Sequence, residues 1–183
     1  MFVLDGAKAL NKAVKDTFGD YATIQRCQVH KKRNVLSHLP QSEQANVARK
    51  MSLAYNEFAF KSADAQLRTL AHRLEKRYPK ATSSLLEDLD ETLAVYRLKV
   101  PGLLRETLCS TNPIESANAS CVGVLRRVSH FQNGRMTLRH AAAGFWEAEK
   151  GFRRIRGFRE LPELLTALQA LTTDRAFVTL TST

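Results

Sequence analysis

The sequence lacks the features that would place it outside the cell or in a membrane. The chain has three cysteines, Cys27, Cys109 and Cys121, an odd number without the spacing of a disulfide framework, which favours a reducing cytosol. No apolar run approaches the roughly 18 residues of a membrane span. The N-terminal Met-Phe-Val-Leu-Asp has neither the basic nor the apolar region of a signal peptide. We therefore expect a cytoplasmic protein that does not span a membrane.

Acidic residues are also scarce, 18 against 28 Lys and Arg, and the net charge is +10. The excess is clustered: residues 21–50 carry six basic residues against one acid, and residues 121–160 carry nine against three. Such clusters are typical of a surface that binds nucleic-acid phosphates, although an ordinary solvated surface stays possible. With 183 residues and 44% hydrophobic residues, the chain is long enough for one domain, with or without an inserted subdomain.

The first twenty residues indicate a strand, an acid and a helix. Residues 1–4 have the composition of a buried strand that ends at Asp5 and Gly6, and apolar residues then mark one face of a helix over about 7–18. Asp5 would lie at the carboxyl end of the strand, where ligands and metals collect in open α/β sheets. The alternative is that Asp5 only caps the helix.

A second strand over 22–27 leads directly into a basic helix that ends near Pro40. Lys31, Lys32 and Arg33 on this helix are candidates for contact with nucleic-acid phosphates. Cys27 and His30 form a Cys-x-x-His pair at the junction. Since structural zinc takes four ligands and no second pair follows at suitable spacing, we expect local packing near a site rather than metal binding.

Residues 42–96 are strongly helical with nearly balanced charge. Three amphipathic stripes predict three helices, the second capped by Ser62 and the third following Pro79. The stripes are Val47, Met51, Ala54, Tyr55 and Phe58; Leu67, Leu70, Ala71, Leu74 and Tyr78; and Leu86, Leu89, Leu93 and Tyr96.

Helix-start signals converge on the segment Ser110–Glu115. Asn112 is a favoured N-cap, Pro113 suits the first helical position, and Glu115 stands where a capping-box acid belongs. A buried face of Ile114, Ala117, Cys121, Val124 and Val128 would extend the helix to about residue 128. Glu115 lies beside that face, either as a capping residue or as a carboxylate held over a metal site.

The C-terminal part contains a long helix over about 136–155 and a last helix over 161–171. Trp146 suits base stacking, but its neighbours Leu138, Ala142 and Phe145 favour a core position. Five arginines are candidates for phosphate contact, or are ordinary solvated charges. These are Arg126, Arg127, Arg153, Arg154 and Arg156.

Asp5 and Glu115 each stand at the end of a rigid element, which suits a metal-binding role. Paired carboxylates that hold two Mg²⁺ or Mn²⁺ ions are the usual apparatus for attack on a phosphodiester. Such a site usually contains at least three carboxylates, and the sequence offers two well-placed ones.

Three ordered blocks resemble the signatures of Mutator-type bacterial insertion-sequence transposases: Leu-Asp-Gly-Ala-Lys-Ala-Leu from Leu4, Gln-Arg-Cys-Gln-Val-His from Gln25, and Ser-Thr-Asn-Pro-Ile-Glu-Ser from Ser110. The basic run over 149–157 is similar to their C-terminal part. The resemblance implies an α/β, mostly α fold: a partial ribonuclease-H-like catalytic domain with an all-helical insertion. It divides the chain into 1–41, the insertion 42–98, 99–158 with the Glu-bearing helix, and 159–183.

The same resemblance implies an Asp, Asp, Glu (DDE) metal triad, with Asp5 as the second aspartate and Glu115 as the glutamate. Cys27, His30 and Asn112 match motif positions near that site. The implied activity is metal-dependent DNA cleavage and strand transfer, with Mg²⁺ or Mn²⁺ as cofactor. The implied partners are the element's terminal inverted repeats, target DNA and further copies of the protein, in the bacterial nucleoid.

No residue precedes Asp5 that matches the first aspartate, nor do the family's N-terminal DNA-binding helices have a counterpart. We therefore expect a truncated copy that is inactive alone. The alternative hypothesis is a catalytically dead remnant that binds DNA or associates with full-length relatives.

Overall fold

The computed structural model describes residues 1–126 and 128–181. The chain divides into two compact units, Met1–Ser110 with Arg156–Thr183, and Thr111–Ile155. Most of the described residues are helical, and two short strands are present among them. None of the helices in the described part is long and apolar enough to cross a bilayer.

The sheet of the first unit consists of two parallel strands, β1 (Phe2–Leu4) and β2 (Ile24–Arg26). The crossover contains helix α1 (Lys8–Phe18) and a short 3₁₀ turn (Gly19–Tyr21). Leu4 pairs with Arg26, so both strands end at the same edge. Leu4, Val14 and Ile24 form a small apolar cluster that holds α1 on the sheet. The strand, helix and second strand therefore lie where the sequence predicts them.

The helices that follow form the main core. They are α2 (Gln28–Ser37), α3 (Gln41–Tyr55), α4 (Phe60–Glu75), α5 (Pro79–Leu86), α6 (Leu89–Thr92) and α7 (Ala94–Arg97). The first two predicted stripes are buried at most positions, including Met51 and Leu67. Phe58 is an exception: it follows the end of α3 and is 89% exposed. Ser62 does not cap α4, because that helix begins two residues earlier, at Phe60.

The third predicted helix is broken into three short pieces. Glu87 ends α5 in an extended conformation, and Asp88 adopts a left-handed conformation with φ of 49°. This break turns Leu86 outwards, whereas Leu89, Leu93 and Tyr96 stay in the core. The prediction that Leu86 belongs to the third buried stripe is therefore wrong.

The first unit is completed by α8 (Gly102–Leu108), a 3₁₀ turn (Phe158–Glu160) and α11 (Leu161–Thr181). The Glu160 carboxylate accepts a hydrogen bond of 3.1 Å from the Leu104 amide at the start of α8. Leu164 is buried in the main core. Helix α11 begins as predicted and continues ten residues beyond the predicted end.

The second unit is a helical hairpin of α9 (Asn112–Leu125) and α10 (Gly134–Glu149). The side chain of Asn133 caps α10 by accepting a 2.9 Å hydrogen bond from the Met136 amide. The helices approach closely at Gly144, where a Cβ atom would lie 2.8 Å from the Cys121 Sγ. Both helices end earlier than predicted, at residues 125 and 149.

Two predictions of buried residues in the hairpin are wrong. On α9, Ala117 and Cys121 are buried, but Ile114 is exposed. On α10, Trp146 is 73% exposed, and Leu138 and Phe145 are exposed as well. The face that packs on α9 is made of small residues, Gly144 and Ala148, because only small side chains permit this close approach.

Candidate functional site

Asp5 directly follows β1, at the carboxyl edge of the parallel strand pair, and is exposed. One of its carboxylate oxygens, Oδ1, accepts a 2.9 Å hydrogen bond from the Ala7 amide. Since α1 begins at Lys8, this bond closes a local turn just before the helix. Oδ2 has no hydrogen bond within the described residues, and the chemistry of a carboxylate oxygen suits Mg²⁺ or Mn²⁺.

Gly6, the next residue, lies against the side chain of Arg26. A Cβ atom at Gly6 would be 2.8 Å from Arg26 Nε and 2.9 Å from Nη2, and the φ of Gly6 is 99°. Both the contact and the positive φ favour glycine. The turn that carries Asp5 therefore packs against the guanidinium of Arg26, which belongs to the neighbouring strand β2.

Arg26 is 4% exposed and is paired with two carboxylates at the break after α5. Its Nη1 lies 2.7 Å from Asp88 Oδ2 and 3.3 Å from Glu87 Oε2. Its Nε is buried without a hydrogen-bond partner in the described protein. Burial alone would raise the pKa of Glu87, but the hydrogen bond and charge of Arg26, with Lys31 and Lys8, lower it. The Arg26 side chain thus connects the Asp5 turn to the break between α5 and α6.

Lys31 lies in the interior beside this ion-pair cluster. Its side chain is fully buried and its ammonium donates a hydrogen bond to the Glu87 carbonyl. Burial, with the nearby charge of Arg26, lowers the pKa of Lys31 to about 8. Of the three basic residues predicted to contact DNA on α2, Arg33 is exposed and Lys32 donates to Ser52 Oγ at 3.2 Å. Lys31, by contrast, does not reach the surface in this structure.

The structure brings Cys27 and His30 into contact. The His30 Nδ1 lies 3.4 Å from the Cys27 Sγ, and Cys27 is completely buried. Cys109 is close to the same junction, because its carbonyl accepts a 2.8 Å hydrogen bond from the Gln28 amide. Burial raises the pKa of the Cys109 thiol to about 12, which disfavours the thiolate that binds metal. Among the described residues no cluster of three or more His, Cys, Asp or Glu side chains could hold a metal ion.

Glu115 lies in the first turn of α9, in the hairpin unit, and its side chain is exposed. Thr111, rather than the predicted Asn112, occupies the N-cap position, and Asn112 is the first helical residue. The Thr111 hydroxyl donates to the Glu115 carboxylate, while the Glu115 amide donates to the Thr111 carbonyl at 3.1 Å. The two residues are thereby joined twice, which orients the carboxylate at the positive end of the helix.

The predicted phosphate-binding arginines have different surroundings. Arg126, Arg153 and Arg154 are exposed. Arg156 belongs to the first unit and pairs with Glu106 at 2.9 Å. Arg127 lies outside the described residues.

Sequence reasoning missed Arg26 and Thr111 as neighbours of the two candidate carboxylates. The sequence contained one indication for Arg26: a charged residue inside a strand that is predicted to be buried requires a partner of opposite charge. Its partners Asp88 and Glu87 are about sixty residues away along the chain, and nothing local indicates them. Thr111 precedes the predicted cap by one residue.

Comparison with known proteins identifies the family. The family described as "Transposase, Mutator family" matches residues 1–154. The chain belongs to this family. The matched range includes every candidate site residue except Arg156.

The curated relatives that the chain matches are described as transposases of insertion sequences. The chain is 33% identical over 116 residues to the transposase for insertion sequence element IS6120 of Mycolicibacterium smegmatis, a match that covers 63% of this chain and 35% of the relative. It is 25% identical over 170 residues to the transposase for IS905 of Lactococcus lactis, which covers 92% of this chain and 42% of the relative. The chain therefore spans less than half the length of the curated relatives it matches.

Proposed function

We propose that this chain carries part of the catalytic apparatus of an insertion-sequence transposase, with metal-dependent DNA cleavage and strand transfer as the reaction. The observation that carries the proposal is the position of Asp5, at the carboxyl edge of a parallel strand pair within the range that matches the Mutator family. Asp5 and Glu115 are the proposed metal-binding carboxylates. When bound, Mg²⁺ or Mn²⁺ would activate the attacking oxygen and stabilise charge on the leaving oxygen.

The local surroundings of each carboxylate support a positioning scheme. Arg26, paired with Asp88 and Glu87, packs against Gly6, so the turn that follows β1 and carries Asp5 is supported by a side chain of the neighbouring strand. Thr111 fixes the Glu115 carboxylate through its hydroxyl. Rigid supports of this kind reduce the cost of bringing oxygen ligands to a metal ion.

The proposal extends to the fold and the partners. A ribonuclease-H-like catalytic part would be built on β1, α1 and β2, with residues 42–98 as its helical insertion. Terminal repeats and target DNA would be the substrates, and the protein would act as a homo-oligomer. Arg33, Arg126, Arg153 and Arg154 are exposed cations that would contact phosphates.

Nicking of supercoiled plasmid by the 183-residue chain, with Mg²⁺ or Mn²⁺, tests the proposal. Because such a site usually contains at least three carboxylates and this chain offers two, we expect at most slow metal-dependent nicking by the parent chain, and this nicking should fall by about 100-fold or more in Asp5→Asn and in Glu115→Gln. Asp16→Asn is the matched control, because Asp16 is an exposed helical carboxylate that pairs only with Lys12 among the described residues. It should nick like the parent chain.

Binding of Mn²⁺, followed by electron paramagnetic resonance, gives a second readout that does not depend on turnover. Asp5→Asn and Glu115→Gln should each weaken it, and Asp16→Asn should not. A chain that binds DNA with a steep salt dependence, but neither nicks it nor changes its Mn²⁺ affinity in these variants, would be a DNA-binding remnant and would overturn the proposal.

A further inference from the structure

Helix α10 carries a line of exposed residues that the proposed chemistry does not use. Arg135, Arg139, Trp146 and Lys150 follow each other at intervals of four, seven and four residues, which places them on one face of an α-helix or its last turn. All four are exposed, Trp146 at 73%. We refer to these four residues as the α10 strip.

The α10 strip faces away from the partner helix of the hairpin. Gly144 and Ala148 are the buried residues of α10, and Gly144 touches Cys121 of α9. Trp146 lies between these two in sequence, about 160° from each around the helix at 100° per residue. Its exposure is therefore a consequence of how the hairpin packs.

The cations of the α10 strip are available to an anion. Neither Arg135 nor Arg139 forms an ion pair within the part of the chain that the structure describes. Lys150 pairs with Glu147 at 2.6 Å, but both side chains are well exposed, and such pairs contribute little. Two acids, Glu147 and Glu149, lie near the strip in sequence, so its three cations outnumber the neighbouring acids by one.

The spacing along the helix separates the charges from the ring. At about 1.5 Å per residue, Arg139 lies roughly 10 Å before Trp146 and Lys150 roughly 6 Å after it. An exposed indole with cations on both sides offers a stacking surface for one base and charge partners for the flanking phosphates. A duplex hides its base faces, whereas an unpaired strand presents them.

We infer that the α10 strip binds unpaired DNA, with one base stacked on Trp146 and the adjoining phosphates held by Arg139 and Lys150. This inference rests on the proposed function, because it names the strand that the DNA-processing protein would hold. It does not depend on metal binding or on Asp5 and Glu115.

Trp146 is the sole tryptophan of the chain, so its emission reports directly on the strip. We would titrate the 183-residue protein with a 20-nucleotide oligo(dT), with a 20-base-pair duplex and with heparin, at low salt. Stacking should quench the emission with oligo(dT) and leave it nearly unchanged with the duplex and with heparin, which offer phosphate or sulfate charge without free base faces.

Anisotropy of fluorescein-labelled oligo(dT) then measures the affinity of variants. Trp146→Ala should weaken binding by about 5-fold to 150-fold, the range that corresponds to loss of one stacked base. Trp146→Tyr should restore most of the affinity, since it retains an aromatic face. Phe58→Ala removes an exposed aromatic residue elsewhere and should leave the affinity within about twofold.

Several outcomes would overturn the inference. Equal quenching by the duplex or heparin would mean that the strip senses charge alone. A blue shift of the emission with increasing protein concentration and no DNA would mean that a second copy covers Trp146, together with the neighbouring Leu138 and Phe145. Unchanged affinity of Trp146→Ala would exclude stacking.

The inference and the proposed function fail separately. Glu115→Gln should abolish nicking and leave the quenching by oligo(dT) intact. Quenching in a parent chain that does not nick DNA, and whose Mn²⁺ affinity is unchanged in Asp5→Asn and Glu115→Gln, would retain the α10 strip and remove the catalytic proposal. Nicking without quenching would retain the catalytic proposal and remove the inference about the α10 strip.

Discussion

The guanidinium of Arg26 donates to the carboxylate of Asp88 at 2.7 Å, and this bond links the end of β2 to the break between α5 and α6. The same side chain supports Gly6, so one residue connects the turn that carries Asp5 with the helical segment. The carboxylates are about two-fifths exposed, whereas Arg26 is buried.

Removal of the Arg26 charge should destabilise the first unit. Arg26→Met leaves Asp88 and Glu87 without their shared partner and removes the support under Gly6, which we expect to cost about 2 kcal/mol of unfolding free energy. Urea unfolding followed by circular dichroism measures it. Lys12→Met breaks an exposed helical pair of equal 2.7 Å length and should cost at most about 0.5 kcal/mol. Equal losses in the two variants would contradict the role assigned to burial.

Gly6→Ala should destabilise the protein more than Gly19→Ala. Both glycines have positive φ, so each alanine variant is strained by about 1 kcal/mol or more. At Gly6 the new Cβ would meet the Arg26 side chain, which is held by its ion pairs with Asp88 and Glu87. At Gly19 nothing lies within 4 Å of the new Cβ. We expect a difference of about 1 kcal/mol in thermal or urea unfolding. If Gly19→Ala proves the worse variant, the contact with Arg26 has no energetic weight.

Two helical glycines of the hairpin should respond to alanine in opposite directions. Gly123→Ala meets nothing within 4 Å and should stabilise α9 by about 0.5 to 1 kcal/mol through helix propensity. Gly144→Ala would place its Cβ 3.2 Å from the Cys121 Cα and carbonyl oxygen, as well as against Sγ, and should lower stability despite the same propensity gain. Hydrogen exchange of α10 amides is the measurement, and stabilisation by Gly144→Ala would refute the close packing.

Lys31 should make part of the stability depend on pH. Its pKa is about 8 in the folded protein, below the ordinary value that it regains on unfolding. Between about pH 8 and pH 10.5 the unfolded chain therefore binds more protons, so this residue's contribution to stability rises with pH. At pH 7 both states are charged and the burial cost is present in full.

The test compares the parent chain with Lys31→Met in urea at pH 7, 8 and 9. We expect the parent to gain stability relative to the variant as the pH rises. The comparison is necessary because burial raises the pKa values of Cys109 and Tyr96, both to about 12, and these groups lower stability at alkaline pH in both proteins. A difference that stays constant with pH would show that Lys31 does not titrate in this range.

Local patterns predicted the elements that carry the candidate carboxylates. The strand before Asp5 and the helix start around Glu115 depend on neighbours within a few residues, such as Gly6 and Pro113, and the structure has both elements. The predicted N-cap of α9, Asn112, is one residue later than the observed N-cap, Thr111, because both residue types are favoured at this position.

Contacts between residues far apart along the chain could not be predicted from the sequence. The burial of Lys31 depends on Glu87, which lies 56 residues later, and its place in a basic run indicated a surface residue instead. The exposure of Trp146 was missed for another reason. An apolar stripe shows which residues could pack, but the small residues Gly144 and Ala148 allow the closer helix approach and turned Trp146 outwards.

The contact between Gly144 and Cys121 also constrains the order in which this hairpin can change during evolution. A larger residue at position 144 is tolerated only after the helices have moved apart, because its Cβ would meet the backbone of Cys121 as well as Sγ. Substitutions elsewhere in the hairpin that separate α9 from α10 should therefore precede any larger residue at position 144, and lineages that keep the close approach should retain glycine there.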